Sequence, residues 1–276
     1  MTVPVLTLAG GVRIPQLGYG VFQVPADETQ RAVETALEAG YRHIDTAAAY
    51  RNEEGVGAAL RAVGLPREEV FVTTKLRNKD QGTEETLAAF EASRRALGLD
   101  VVDLYLIHWP APAKDRYVEA WRALEKLHAE GAARAIGVSN FLPEHLDRLL
   151  AETDVVPAVN QVEVHPGFQN REVTEATERA GIAVEAYSPL GRGASLEKPE
   201  ITRTAEALGV TPAQVVLRWH LQRGRIVIPK SATPERIREN IGVDFELDDE
   251  QLAAIDALDA GERTGGDPAT MNLPQD

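Results

Sequence analysis

The stretch DLYLIHWPAPAKDRYVEAWRALEKLHAEGAARAIGVSN, residues 103–140, holds a strand pattern, a helix pattern and a second strand pattern in that order. DLYLIH is an aliphatic and aromatic run that ends on His108. In YVEAWRALEKLHAEG the apolar residues Val118, Trp121, Leu124 and Leu127 recur at near-helical spacing, and Gly131 can end the helix. AIGVSN then supplies a further β-branched run ending on Ser139 and Asn140. Outward from this unit the alternation continues, with LGYG, HIDT and VFVTTK before it and VNQVE, VEAYS and IVIPK after it. FLPEHLDRLLAE, with Leu142, Leu146, Leu149 and Leu150, is another amphipathic helix pattern.

Eight strand candidates alternating with helices in 276 residues predict an α/β chain folded as one (β/α)8 TIM barrel, an architecture of about 250 residues. The rival is an open doubly wound sheet with a Gly-rich fingerprint after its first strand. GYGVFQ, GVGAAL and GRGAS each contain G-x-G, but none combines the third small residue, the preceding strand and the opening helix. Ahead of the barrel, VLTLAGGVRIP predicts a β-hairpin turning at Gly10-Gly11. No linker or low-complexity tract divides the chain, so residues 1–276 are expected to form a single domain. The tail DAGERTGGDPATMNLPQD, rich in Gly, Asp and Pro, reads as an extended segment over the active-site face.

Composition narrows the function classes. A net charge of −14 argues against a nucleic-acid partner, because phosphate backbones are gripped by clustered Lys and Arg. The absence of cysteine excludes disulfides, thiolate nucleophiles and Cys-bound zinc. The start, MTVPVLTLAGG, lacks the basic and apolar regions of a signal peptide. The apolar runs fall far short of the roughly 18 residues a membrane helix needs, so the expected location is cytoplasmic with no membrane partner.

In such a barrel, functional groups gather at the C-terminal ends of the strands. The second to fourth strand candidates end in Asp45, Lys75 and His108, and the fifth in Ser139-Asn140. The sixth contains Gln161, the seventh ends in Tyr187-Ser188 and the eighth in Lys230-Ser231. Tyr50, Lys75, Asp45 and His108 together make a proton-donating group. A phenol is a poor acid at neutral pH; a neighbouring ammonium lowers its pKa, and a carboxylate keeps that ammonium charged and in place. His108 can hydrogen-bond the oxygen that receives the proton. Electrons must then come from a bound cofactor, since there is no thiol and no convincing metal set. IVIPKSATPERIREN offers a place for a phosphorylated one: Thr233 reads as an N-cap, Pro234 as the first helical residue, and Lys230, Ser231 and Arg236 add two cations and a hydroxyl.

GYRHIDTAAAYRNEEGVGAAL, VFVTTKL, DLYLIHWP, AIGVSNF, VNQVEVHP, AYSPLG and IVIPKSATPERIREN, in this order and over nearly the whole chain, resemble the aldo-keto reductase superfamily. HWPAPAKDRYVEAW, LGYGVFQV and the brief tail are most similar to its bacterial 2,5-diketo-D-gluconate reductase branch. The resemblance implies NADPH bound on a barrel without a Rossmann domain, and a catalytic tetrad of Asp45, Tyr50, Lys75 and His108. It implies that Ser139, Asn140 and Gln161 hold the nicotinamide amide, that Tyr187 stacks on the ring, and that Ser188, Leu190 and Gly191 lie by the pyrophosphate. Lys230, Ser231 and Arg236 fall on the 2′-phosphate positions, and Glu239 and Asn240 near the adenine. Phe22, Ala49, Tyr50, His108, Trp109 and Asn140 fall on substrate positions for a small carbonyl compound. Arg77 replaces an aromatic residue of many relatives and either favours an anionic substrate or faces solvent. Family habit and the net charge imply a monomer. The other class left open is a cofactor-binding regulatory or redox-sensing protein on the same fold, like family members associated with potassium channels.

The remaining conspicuous residues receive plainer readings. His128, His145 and His220 lie in helix patterns as surface or packing residues, His43 shares the face of Asp45, and His165 lines a loop. Trp121 and Trp219 are expected to pack against the barrel. Glu53-Glu54 and Glu84-Glu85 sit at helix starts, where acidic residues meet the helix dipole favourably.

Overall fold

The computed structural model of the protein describes residues 3–273. The chain opens with a hairpin of β1 (Val5–Thr7) and β2 (Arg13–Pro15), joined through a single 3-10 turn at Ala9–Gly11. Gly10 and Gly11 take φ of 83° and 81° there, a region in which any Cβ is strained. The strands that follow are β3 (Tyr19–Gly20), β4 (His43–Asp45), β5 (Phe71–Leu76), β6 (Val102–Ile107), β7 (Ala133–Ser139), β8 (Val159–Glu163), β9 (Ala183–Tyr187) and β10 (Ile226–Val227). Between them run α1 (Ala26–Ala39), α2 (Glu53–Val63), α3 (Thr83–Leu97), α4 (Tyr117–Ala129), α5 (Pro143–Glu152), α6 (Arg171–Arg179), α7 (Pro199–Leu208) and α8 (Pro212–Gln222). After β10 come α9 (Pro234–Asn240) and α10 (Asp249–Asp256).

The strands from β3 to β10 form one eight-stranded sheet in sequence order, every pair parallel. Its two edges meet. Leu17 bridges Val227, Val227 N donates to Gln16 O at 2.7 Å, and Gly18 N donates to Val227 O at 2.9 Å. Gly20 N continues the seam to Pro229 O at 3.1 Å. A Cβ on Gly18 would stand 2.6 Å from His43 Nδ1 and would displace that ring, and one on Gly20 would stand 3.1 Å from Ile228 O, a tight contact with the seam backbone. This is the expected (β/α)8 barrel with the expected hairpin. β3 and β10 are only two residues long, shorter than their apolar runs suggest, because the seam bonds extend beyond both strands.

Leu8 and Ile14 of the hairpin pack with Phe71, Leu104, Leu106, Val159 and Ile226 inside the lower barrel. That plug seals the N-terminal end and leaves the C-terminal end for a cavity. Outside, α4 buries Val118, Trp121, Leu124 and Leu127, and burial of each aliphatic side chain contributes roughly 1.5–3 kcal/mol. Trp219 is also fully buried and donates Nε1 to Asp256 at 2.8 Å. No helix among the described residues is long and apolar enough to cross a membrane.

Two local readings need correction. Glu53 is more than a dipole partner: it is buried and accepts hydrogen bonds from Thr74 Oγ1 at 2.6 Å and Ser93 Oγ at 3.2 Å, tying α2 to β5 and α3. Thr233 stands at the N-cap position of α9 without a side-chain cap bond; Ser231 Oγ instead accepts from Thr233 N at 3.1 Å.

Candidate active site

Asp45 ends β4 and Lys75 lies on β5, with Asp45 in register with Thr73, so strand alternation sends both side chains to the barrel interior. Lys75 Nζ donates to Asp45 Oδ1 at 2.6 Å, to Asp45 Oδ2 at 2.8 Å and to Thr46 O at 2.9 Å. The lysine is fully buried. Burial alone would lower its pKa, but Asp45 in contact, with Tyr50 and Glu185 nearby, outweighs that and holds the ammonium above its usual range.

Tyr50 ends a 3-10 turn, Ala48–Tyr50, directly after β4, and Arg51 closes it in the left-handed region at φ 57°. Asn52 fixes this loop. It accepts from Thr46 Oγ1 at 2.9 Å and donates to Val21 O and Val24 O at 3.0 and 3.2 Å. The Tyr50 ring centroid lies 5.2 Å from Lys75 Nζ, 5.0 Å from the Phe22 ring and 5.7 Å from the His108 ring. Here the sequence expectation needs correction. Burial raises the phenol pKa by more than Lys75 lowers it, so the net direction is upward. The phenol therefore keeps its proton at neutral pH, and Lys75 acts chiefly on the phenolate left when that proton departs. Burial, with Lys75 in the same direction, pushes His108 well below the ordinary imidazole range, so it is a neutral hydrogen-bonding group.

A cavity of about 450 Å³ opens at this end of the barrel. One end is walled by Phe22, Ala49, Tyr50, His108 and Trp109, with Asp45 reaching the lining. Ser139, Asn140, Gln161, Tyr187 and Ser188 line it further round, and Lys230 also lines it. Lys75 stands behind this wall, fully buried. The middle group is tightly tied. Ser139 Oγ donates to Gln161 O at 2.8 Å, Asn140 Nδ2 to His108 O and Ser139 Oγ at 3.0 Å, and Tyr187 OH to Asn140 Oδ1 at 2.8 Å. Asn140 and Ser188 hold left-handed φ of 63° and 46°, strain of the kind that clusters at functional sites.

Besides Lys75 and Arg77, six of the residues singled out from sequence do not line the cavity. Leu190 and Gly191 lie in the turn after Ser188, Gly191 against the His165 ring. Ser231 is buried, its carbonyl oxygen accepting from Tyr19 OH at 2.5 Å. Arg236 and Glu239 are exposed on α9, and Asn240 is buried at its end. Neither Lys230 nor Arg236 forms an ion pair among the described residues, unlike many of the other exposed cations. Arg77 is half-buried and donates Nε to Asp80 Oδ2 at 2.7 Å, outside the cavity lining.

Sequence reasoning missed Arg192, Pro189, Ile228 and Gly20, as well as Gly265, Gly266, Met271 and Leu273 of the tail, all of which line the cavity. The tail is pinned by Glu163, at the end of β8. Its Oε1 accepts from Thr264 N and Oγ1, both at 2.6 Å, and its Oε2 accepts from Gly265 N at 2.9 Å. Asn78 Nδ2 donates to Leu273 O at 2.8 Å further along. Residues 274–276 of the tail lie outside the described residues. Burial alone would raise the Glu163 pKa, but the His165 imidazole, with Nε2 3.3 Å from Oε1, and the hydrogen bonds from Thr264 and Gly265 bring it down to about 2. The carboxylate's contribution is thus complete above its ordinary pKa of 4.5 and is lost as pH falls through about 2. Acidification across that window is expected to release the tail, read by proteolysis within residues 259–273; a tail equally protected at both ends of the window would contradict the clamp.

The histidines divide as follows. His43 is buried beside Thr73, as its alternation with Asp45 implies. His145 and His220 are buried packing residues, His145 against Tyr117 and Phe141 and His220 by Nε2 at 3.2 Å from Pro189 O. At the opposite end of the barrel, a depression of about 660 Å³ is bordered by Arg67, Asp103 and Arg134. Those three are consumed by their own ion pairs. Among the described residues no group of three or more His, Asp or Glu is placed to hold a metal ion.

Comparison with known proteins agrees with this geometry. The model of the aldo/keto reductase family matches residues 14–260. An aldo-keto reductase of Mycolicibacterium smegmatis is 54% identical over 271 residues, covering 98% of each chain. A methylglyoxal reductase of Yersinia pestis is 52% identical over 268 residues, covering 96% of each. The solved NADPH complex of a variant of the protein Gox0644 superposes with a TM-score of 0.95 at 47% identity, covering 99% of this chain and 100% of that one. With a matching family model over most of its length and relatives above half identity, the chain is an oxidoreductase of the aldo/keto reductase family.

Proposed function

We propose that the protein reduces a small aldehyde or ketone to an alcohol with NADPH, Tyr50 donating the proton. The observation that carries this reading is the fully buried Lys75–Asp45 pair set behind a cavity lined by Tyr50 and a neutral His108. Tyr50 holds a proton at Oη and releases it to the carbonyl oxygen; Lys75 stabilises the phenolate that remains, and Asp45 keeps Lys75 charged and oriented. Neutral His108 donates a hydrogen bond to the same oxygen and stabilises the negative charge developing there. NADPH, when bound, supplies the hydride to the carbonyl carbon. Its fit rests first on the lining, where the polar side chains of Ser139, Asn140 and Gln161 suit a carboxamide and the Tyr187 ring suits a flat heterocycle; Ser188, with Leu190 and Gly191 in the turn beyond the lining, is assigned to the pyrophosphate. The unpaired cations Lys230 and Arg236, with Ser231, suit the 2′-phosphate, and Glu239 and Asn240 the adenine.

The substrate end is aromatic and apolar, with Phe22, Ala49, Trp109 and Met271, which favours compact, uncharged carbonyl compounds such as α-oxoaldehydes and α-diketones. The Yersinia relative's name points the same way. Pairing of Arg77 with Asp80 outside the cavity removes the case for an anionic substrate built on that residue. A keto-sugar such as 2,5-diketo-D-gluconate remains one arm of the test. The tail's bonds to β8 support a single folded unit for the whole chain.

Nicotinamide absorbance followed with purified protein, NADPH or NADH, and a panel of aldehydes, diketones and keto-sugars tests the reading. Carbonyl-dependent oxidation of NADPH faster than of NADH is expected; tight NADPH binding with no turnover would move the regulatory alternative forward. Arg236→Ala should weaken NADPH by on the order of tenfold, the value of one charge-assisted contact of about 1.4 kcal/mol, and leave NADH nearly unchanged. Equal losses for both cofactors in a fluorescence titration would remove its 2′-phosphate role. Glu163→Gln, which cannot accept from all three tail donors, should raise the carbonyl KM by roughly tenfold with a smaller effect on kcat. An unaltered KM would show that the tail does not shape the substrate end.

A further inference from the structure

Beneath the site lies a buried carboxyl with no part in the mechanism above. Glu185, on β9, is in register with Gln161 on β8, and both reach across the barrel interior toward β4, which is not their sheet neighbour. Gln161 Nε2 donates to Asp45 Oδ2 at 2.8 Å and to Glu185 Oε2 at 2.9 Å, so a single amide group bridges two carboxyls. Among the described residues the only cation in contact with either is Lys75, and Asp45 takes both of its carboxylate bonds.

We propose that Glu185 is a positioning residue for the carbonyl reduction: it carries a proton at neutral pH, so that one carboxylate faces one ammonium around Tyr50, and it orients the amide of Gln161 toward the cavity. The proposal rests on the reductase reading given above. Asp45 is the ionised partner, because both its oxygens accept bonds from Lys75. Glu185 has one hydrogen bond at Oε2, while its buried Oε1 has none. A fully buried carboxylate with one hydrogen bond and no contacting cation is costly, and a proton removes the charge.

The groups facing Glu185 are consistent with this. Asp45 and His43 approach from β4, Lys75 from β5 and Tyr50 from the turn after β4, whereas its register partner on β10 is the apolar Ile226. His43 Nε2 stands 3.6 Å from Glu185 Oε1 and is engaged with Thr73 Oγ1 at 3.1 Å. It cannot serve as the counter-charge: burial chiefly, with Lys75 adding to it and the Pro15 backbone opposing, brings its pKa down to about 3. For Glu185, burial and then Asp45 push the pKa up to about 8, while Gln161 and Lys75 act against them. Once ionised, Glu185 opposes phenolate at Tyr50. Proton release to a carbonyl oxygen then becomes harder, and so does the phenolate form needed for the reverse reaction, alcohol oxidation.

Two measurements test this. In full-length protein carrying 13C at the glutamate side-chain carboxyls, one resonance is expected to titrate near pH 8 and to disappear in Glu185→Gln, which matches the protonated acid in shape. The absence of any glutamate carboxyl still protonated at pH 7 would overturn the proposal, because ordinary glutamates titrate near 4.3. In steady-state kinetics, Glu185→Gln should move the ascending limb of the pH profile of alcohol oxidation to lower pH by about half a unit or more, since the neutral amide no longer opposes the phenolate. A pH profile superimposable on that of the native protein would overturn it as well; a merely structural role moves kcat without moving the limb. Failure to turn over any carbonyl would sink the reductase reading instead, and the carboxyl titration would still decide where the proton resides.

Discussion

Tyr50→Phe is expected to lose roughly 10²–10⁴-fold in kcat for carbonyl reduction, with NADPH affinity close to unchanged. The phenol is the only acidic hydrogen this arrangement offers a carbonyl oxygen at neutral pH. His108 is neutral there, held well below its usual range by burial and Lys75. Lys75 is spent on Asp45 and the Thr46 carbonyl. Removing the hydroxyl deletes the proton and leaves the ring, its contact with Phe22 at 5.0 Å and the loop fixed by Asn52. Steady-state kinetics together with a fluorescence titration of NADPH separate the two effects. Full activity in this variant would refute the acid assignment, and equal losses in binding and turnover would mean that the loop had moved.

Lys75→Met is expected to act on both chemistry and stability. The ammonium is fully buried and makes three hydrogen bonds. Without it, Asp45 keeps only Gln161 Nε2, and a buried carboxylate without its cation costs roughly 3–5 kcal/mol. Urea unfolding midpoints should fall accordingly, and carbonyl turnover should drop at least as far as in Tyr50→Phe, because the phenolate has lost its stabilising charge. The double variant Lys75→Met with Asp45→Asn separates the two consequences. Removing both charges should restore much of the lost stability, as replacement of whole buried pairs often does, and restore none of the activity. Recovery of activity in the double variant would contradict the role given to Lys75.

Much of this was legible in the chain because barrels write their sites at strand ends. The alternation of apolar runs and helical spacing placed all eight strands; Asp45, Lys75, His108 and Asn140 could be read directly from where those runs stop, and Gln161 from within its run. Contacts set by the third dimension were not legible. Glu163 and Glu185 look alike in VNQVE and VEAYS, but one faces the donors of the tail and has its pKa brought down to about 2, while the other is enclosed beside Asp45 and pushed up to about 8. Glu53 follows the pattern of a solvated helix start and is instead buried by Thr74 and Ser93. The upward net shift of Tyr50 was unreadable for the same reason, since Lys75 could be inferred from spacing and the degree of enclosure could not.

The most direct test of the central claim uses NADPH carrying deuterium at both C4 positions of the nicotinamide, methylglyoxal as substrate, and mass spectrometry of the alcohol formed. Hydride transfer within this cavity predicts a single deuterium on the carbinol carbon, with the hydroxyl hydrogen drawn from solvent through Tyr50. An alcohol without deuterium on carbon, or no alcohol from any carbonyl of the panel, would contradict the account.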